Sequence, residues 1–402
     1  MKALIIGGGI AGPATAMALQ RVGIDSTVHE AHPTGAGGVG AFLTLGSNGL
    51  DALAALGAEG PALAAGFRTP GIAMYSSTGK HLGTTVTSRP GGEEPVSRTL
   101  KRAELYGLLS EEASRRGIAL AHGKRLTSAE ETSDGVRAHF ADGSEETADL
   151  LIGCDGIHST VRTVIDPAAP APRYTGLIGL GGYTRGIRVD ADPGTYAMVF
   201  GRRGFFGHAL APDGEVWWFA NVPRPREPER GEAEAVGAEE WRAVLREMFA
   251  DDAGPAARLV EASEEILPAS PMHAMPPLPR WHSDRMIVLG DAAHAPSPSS
   301  GQGASLSLED AVELARCLRD RPSPAAAFTA YEALRRPRVE RIARQAARVN
   351  SNKAAGPVAR VLRDAMLPLA LRATANGKQM RETYGHHIEW EARTGEGTGV
   401  AA

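Results

Sequence analysis

The sequence predicts an α/β fold: a three-layer core built on a parallel sheet, an inserted sheet that is mainly antiparallel, and a helix near the C-terminus. Three observations predict it. The chain opens on a strand, a glycine-rich turn, a helix and a second strand. Two later apolar strands each deliver an aspartate at their carboxyl ends. Between those two strands lies a series of short segments rich in aromatic and β-branched residues.

Composition sets the frame. The 402 residues suffice for two or three domains and a large core, so no metal or disulfide is needed for stability. A net charge of −4 leaves no basic surplus, so neither nucleic acid nor an anionic membrane is an expected partner. The two cysteines, Cys154 and Cys317, exclude a cysteine-built zinc site, and no disulfide framework is expected. The apolar runs fall well short of the ~18 residues of a membrane span. The N-terminus lacks the apolar stretch and cleavage site of a signal peptide, so a cytoplasmic protein is expected.

The first unit runs from Leu4-Ile5-Ile6 through Gly7-Gly8-Gly9-Ile10-Ala11-Gly12 into a helix that ends at Val22-Gly23, then a strand Ser26 to Glu30. This is a Rossmann-like dinucleotide unit. Gly7 permits the tight turn, and Gly9 lets a pyrophosphate approach the helix N-terminus. Gly12 lets helix and strand pack closely, and Glu30, 18 residues beyond Gly12, can accept hydrogen bonds from a ribose. The unit alone fits NAD or FAD.

Two further motifs follow. Leu150 to Gly153 reads as a strand ending in Cys154-Asp155-Gly156, with Ser159 and Arg162 at helical spacing behind it. Met286 to Leu289 reads as a strand ending in Gly290-Asp291, followed by Pro298, Gly301-Gln302-Gly303-Ala304-Ser305. Leu308, Val312, Ala315 and Leu318 form an apolar stripe, so a helix is predicted from near Ser305.

In this order and spacing the three motifs resemble the FAD-dependent aromatic monooxygenases of the para-hydroxybenzoate hydroxylase type, which include salicylate hydroxylases and tetracycline-inactivating monooxygenases. The resemblance covers about residues 1–350. It implies a tightly bound FAD whose ADP half is held by Gly7, Gly9, Ala11, Gly12 and Glu30. Asp291 would hold the ribityl chain, and the stretch from Pro298 and Gly301 through Gln302, Gly303 and Ala304 to Ser305 would face the pyrimidine end of the flavin. The middle motif, Asp155, Gly156, Ser159 and Arg162, would serve both FAD and the nicotinamide donor, with Arg162 either a donor contact or part of a structural ion pair. Arg102, opening a helix, would contact the flavin side, and a backbone contact to adenine would lie near Leu126. Asn48 matches a family turn residue and reads as structural. The sequence departs from the family at Ser297, where a second proline is usual, and at Ser305, where asparagine is usual.

No second dinucleotide unit appears: Gly176, Gly179, Gly181 and Gly182 have the wrong spacing, and Tyr183 to Val189 alternates like a strand. One dinucleotide is therefore expected to stay bound while NADPH or NADH visits. The domains are predicted as 1–66, 96–169 and 276–350 for FAD binding, 67–95 and 170–275 for substrate, and 351–402 as a C-terminal helix and mobile tail. In the substrate part, Leu180–Val189, Tyr196–Phe200, Gly204–Leu210 and Glu215–Val222 read as strands. Phe205, Phe206, Trp217, Trp218 and Phe219 cluster there, either lining a pocket for a flat ligand or forming ordinary sheet core. Ala238 to Phe249 reads as a surface helix. The histidines show no metal-ligand spacing.

The expected reaction is insertion of one oxygen atom from O2, through a flavin C4a-hydroperoxide, into an aromatic or polycyclic small molecule, by hydroxylation or epoxidation. No side chain is an expected nucleophile. His208 and Tyr183 are the candidates for a base that activates a phenol. Alternatives are a reductase or dehydrogenase on the same fold, a halogenase, or a flavin protein that sequesters a ligand. The halogenase motif Trp-Xaa-Trp-Xaa-Ile-Pro is not matched by Trp217-Trp218-Phe219-Ala220-Asn221-Val222-Pro223. Substrate identity, NADH or NADPH, and oligomeric state are not encoded in these motifs.

Overall fold

The computed structural model describes residues 1–35, 41–88, 94–353, 356–374 and 378–394. Its centre is a five-stranded, all-parallel sheet in the order Met286–Val288, Leu150–Gly153, Lys2–Ile6, Asp25–Glu30, Ala119–His122. The first strand sits in the middle. The chain leaves it through helix Ala11–Arg21 to reach Asp25–Glu30 on one side, while Leu150–Gly153 flanks it on the other. The strand order thus reverses at the carboxyl end of Lys2–Ile6, where open α/β sheets bind their ligands.

Helix Ala11–Arg21 packs against helix Gly303–Asp320. The third layer is a small antiparallel sheet of Leu126–Glu131, Val136–Phe140 and Glu145–Ala148, whose Phe140 ring stacks on His29 of the central sheet at 4.8 Å.

The second large element is a seven-stranded sheet in the order Ile266–Ala274, Arg173–Thr184, Val216–Pro223, Phe205–Leu210, Tyr196–Phe200, Gly71–Ser76, His81–Val86. Every pair is antiparallel except Tyr196–Phe200 with Gly71–Ser76. The mainly antiparallel reading holds, but the first strand differs from its expected span. It begins at Arg173 and stops at Thr184, and Arg185 to Val189 leave the sheet. Gly186, with φ +77°, ends the run, and glycines inside the strand mask its pattern in the sequence. Gly182 has no room for a side chain: a Cβ there would lie 2.6 Å from the Trp218 ring.

Alternation divides the aromatic cluster between the two faces of this sheet. Phe206 and Trp218, fully buried, pack with Trp241, Leu245 and Phe249 of helix Ala238–Phe249. These two rings are sheet core. Trp217, Phe219 and Phe205 lie on the opposite face. Helix Ala238–Phe249 has the expected span, with three residues buried against the sheet.

A small antiparallel sheet of Phe42–Leu45, Arg98–Lys101 and Phe67–Arg68 joins the two parts. Helix Pro324–Lys353 runs along the molecule and is followed by helix Pro357–Thr374. The Gly- and Thr-rich tail expected to be mobile, residues 395–402, lies outside the described residues. Among the described residues no helix is long and apolar enough to cross a membrane.

Candidate functional site

The three motifs converge on one groove because three neighbouring strands end there. Ile6 leads to Gly7, Gly153 to Asp155, and Val288 to Asp291, with Lys2–Ile6 pairing Leu150–Gly153 and that strand pairing Met286–Val288. The glycines divide the labour as chemistry requires. Gly7 has φ +107°, and a Cβ there would sit 2.2 Å from the Cys154 carbonyl oxygen. A Cβ on Gly12 would lie 1.9 Å from the Gly7 oxygen. Both hold the turn itself. A Cβ on Gly9 meets nothing within 4 Å, so the space in front of Gly9 is open to a ligand. Ala11 starts the helix behind that space, whose first-turn amides and dipole favour an anion.

Glu30 closes the second strand. Its Oε2 accepts from the Gly8 amide at 2.8 Å and its Oε1 from the His32 amide at 2.8 Å. These bonds fix the carboxylate beside the glycine turn and leave lone pairs for a ribose. Leu126 begins its strand as a buried core residue.

Asp291 is the most telling side chain. It follows Gly290 at φ +59° and opens the short helix Asp291–His294. Its carboxylate makes no hydrogen bond or ion pair among the described residues. Burial pushes its carboxyl above the ordinary value, while Arg102 and His294 pull it back. A buried polar group without a partner is costly, and sugar hydroxyls would satisfy it. Arg102 opens helix Arg102–Arg115 as expected and shares this corner.

The turn that presents Asp291 is anchored from beneath by residues the motifs did not reveal. Asp310 accepts from the Gly290 amide at 2.9 Å, lies 2.6 Å from His294 Nε2, and pairs with Arg335 at 2.7 Å. Burial alone would raise the Asp310 carboxyl, but His294 and Arg335 outweigh it and hold it below the ordinary value. Glu309 binds Arg335 and Arg338 and accepts from Asn48 Nδ2 at 2.6 Å. Asn48 also donates to Gln302 Oε1 at 2.9 Å, so it is structural, as expected, but it lies in helix Ser47–Ala55 and not in a turn. The adjacent acids Glu309-Asp310, fully buried inside an apolar stripe, are the signal that would have found this network.

Pro298 starts a 3-10 turn to Ser300, and Gly301 follows at φ +61°. The helix begins at Gly303, two residues earlier than the stripe suggests, because the glycine carries no side chain to announce it. A Cβ on Gly303 would stand 3.6 Å from Asp291 Oδ1, and Gly301 faces open space, so Gly301 to Ala304 border the same groove as Asp291. The Ser305 side chain does not: it is buried, and its Oγ accepts from the Gly46 amide at 3.0 Å.

Both polar residues of the middle motif find partners within the protein. Asp155 spends its carboxylate on helix Thr160–Ile165, accepting from Ser159 Oγ at 2.5 Å and from the Thr160 and Val161 amides. Arg162 is 3% exposed and donates to the carbonyls of Ala292 at 3.0 Å and Ile157 at 2.8 Å. Its guanidinium braces the Asp291 turn, which favours the structural alternative for Arg162 over the donor contact.

Lys101, beside Arg102, leads to an aromatic face on the seven-stranded sheet. Phe42 approaches Trp217 at 5.5 Å, Tyr183 at 6.2 Å and Phe219 at 6.2 Å between ring centres, and the Lys101 ammonium stands 4.7 Å over the Tyr183 ring. Phe42, Tyr183, Met198 and Phe219 keep part of their surface accessible. Beneath them Tyr196 Oη accepts from Thr44 and Thr99 hydroxyls at 3.3 and 3.2 Å. Tyr183 is on this face, yet burial pushes its phenol up to about 12, so it can donate a hydrogen bond but is a poor base near neutrality. His208 is on the wrong face. Strand alternation turns it toward Phe206 and the buried core, and burial lowers its ring to about 4. It is not a base for this site.

Among the described residues no group of three or more His, Cys, Asp or Glu side chains could hold a metal ion. The residues present do fit FAD: an open approach at Gly9 before a helix N-terminus, a carboxylate at Glu30, and an unpartnered carboxylate at Asp291 along one groove.

Comparison with known proteins agrees with this geometry. A family model described as "FAD binding domain" matches residues 1–346. The chain is 31% identical over 340 residues to the aurachin C monooxygenase/isomerase of Stigmatella aurantiaca, covering 83% of this chain and 85% of the relative. It is 33% identical over 356 residues to the FAD-dependent urate hydroxylase of Klebsiella pneumoniae, covering 84% and 87%. A solved structure of Klebsiella pneumoniae HpxO with FAD and uric acid superposes with a TM-score of 0.83 at 27% identity, covering 96% and 98%.

Proposed function

The chain belongs to the FAD binding domain family and is a FAD-dependent monooxygenase using NAD(P)H and oxygen; from that premise we propose that it hydroxylates a flat aromatic or heteroaromatic molecule held against Phe42, Tyr183, Trp217 and Phe219. The observation that carries the substrate reading is that aromatic face, where Phe42, Tyr183 and Phe219 stay partly accessible. Flat π-systems gain both area burial and offset or edge contacts from such a wall.

Gly7, Gly9, Ala11, Gly12 and Glu30 would hold the ADP half, Asp291 the ribityl hydroxyls, and the turn from Gly301 to the helix start at Gly303 the pyrimidine end. When bound, FAD supplies acceptance of hydride from NAD(P)H and delivery of one oxygen atom from O2. The protein's own part is positional. The Gly303–Asp320 helix N-terminus favours negative charge beside it. Asp310 and Arg162 fix the Asp291 turn, and the seven-stranded sheet with Phe42 forms the aromatic wall. With no second dinucleotide unit, the nicotinamide donor binds transiently.

The relatives' ligands, urate and aurachin C, are heteroaromatic and suit the same wall. The test is a screen of aromatic and heteroaromatic compounds, uric acid included, for stimulated NADPH or NADH oxidation with product mass. A compound that raises oxidation and gains one oxygen supports the reading. A full screen with substrate-independent oxidation only, or a reduced or chlorinated product, overturns it.

A further inference from the structure

One buried amine stands at the far end of the aromatic face and has no role in the account so far. Lys353 closes helix Pro324–Lys353, is 7% exposed, and is one of only six lysines in the chain. Its Nζ donates to Asn221 Oδ1 at 2.7 Å and lies 4.2 Å over the Phe205 ring and 5.9 Å from the Phe219 ring centre. Asn221 follows Trp217 and Phe219 at every second position of strand Val216–Pro223, so all three share one face. The Asn221 amide is held the right way round, because its Nδ2 donates to Met272 Sδ at 3.4 Å. Lys101 and Lys353 therefore stand at opposite ends of one row of rings, Tyr183–Trp217–Phe219–Phe205.

The partners of Lys353 are too few for its burial. An ammonium has three donors, and among the described residues Lys353 has one neutral acceptor and no carboxylate. Burying a charge without a counter-charge is costly, and aromatic faces offset only part of that cost. What is missing is an anion, or a group that becomes one.

We propose that Lys353 is a substrate-contacting residue, whose amine meets an acidic oxygen of the aromatic substrate lying against Phe219, with Asn221 holding the amine in place. This rests on the aromatic-substrate reading above and names the chemistry of the substrate's far end: a phenolic or enolic hydroxyl. The neutral amine takes the hydroxyl proton. The O–H bond breaks, an N–H bond forms, and the electron pair stays on oxygen, so a phenolate is left paired with the ammonium and nothing is oxidised or reduced. Burial lowers the Lys353 amine to about 7, which places the transfer within reach near neutrality. The phenolate is the more electron-rich ring, as oxygen insertion requires.

The test uses the FAD-loaded enzyme with 4-nitrophenol, whose absorption separates phenol from phenolate, and 4-nitroanisole, which has no acidic proton. At a pH below the phenol's own pKa, the parent should bind 4-nitrophenol with a phenolate band and bind it more tightly than 4-nitroanisole. Lys353→Met should keep its FAD, lose the phenolate band and bind 4-nitrophenol roughly ten- to a hundred-fold more weakly, as loss of a charge-assisted bond implies. Its affinity for 4-nitroanisole should not change. A parent with no phenolate band, no binding, or no preference over 4-nitroanisole overturns the proposal, as does a Lys353→Met variant with the parent's spectrum. Those results leave the FAD reading standing, which fails only if the parent itself carries no flavin. Should Lys353→Met not fold, the parent's discrimination between the two probes still decides.

Discussion

Gly9→Val should yield a folded protein that has lost its FAD and its yellow colour. The valine methyls would occupy the space where a pyrophosphate must approach the helix N-terminus. The structure separates this from a folding defect: a Cβ on Gly9 meets no atom within 4 Å, and its φ is not in the left-handed region. The same change at Gly12 or Gly7 would drive a Cβ into backbone at 1.9 or 2.2 Å, and should disrupt the turn itself. Flavin absorbance per chain, read beside the thermal melt of the apoproteins, distinguishes the two. A Gly9→Val protein that retains full flavin would make the first glycine motif purely structural.

Asp291→Ala should weaken FAD binding by about one to two orders of magnitude. A hydrogen bond to a charged group contributes roughly 1.5–3 kcal/mol, and about 1.4 kcal/mol is one decade of affinity. Among the described residues the carboxylate has no competing partner, so its bonding capacity is open to ribityl hydroxyls. Removing it should leave the fold intact, since the turn is held instead through Gly290 and His294 by Asp310. Asp291→Asn keeps the shape and one acceptor and should lose less. Titration of FAD into apoprotein measures both. Equal affinity in Asp291→Ala and parent would remove Asp291 from the cofactor site.

The strand-end motifs were legible because each is local. Gly7 to Gly12, Asp155-Gly156 and Gly290-Asp291 each announce a buried strand, a turn and a helix within about a dozen residues, and backbone geometry then delivers them to one groove. Arg102 at a helix start was legible for the same reason. What failed depends on partners far along the chain. For Arg162 the choice between donor contact and structural role rests on its bond to the Ala292 carbonyl, 130 residues away. His208 looks available until the sheet's alternation turns it into the core. The Lys353–Asn221 contact spans 132 residues, and no spacing in the sequence hints at it. The early start of the Arg173–Thr184 strand was hidden by glycines, which carry no hydrophobic pattern; only Gly181 and Gly182 serve close packing there.

The central claim is that this chain uses a bound flavin to move one oxygen atom from O2 into an aromatic ring. The direct measurement is product mass after turnover with NADPH or NADH under isotopically labelled O2, using the compound that most stimulates oxidation. The expected result is one labelled oxygen per product molecule, with one equivalent of NAD(P)H consumed. Product that carries oxygen from water, or NAD(P)H consumed with no labelled product, would contradict it.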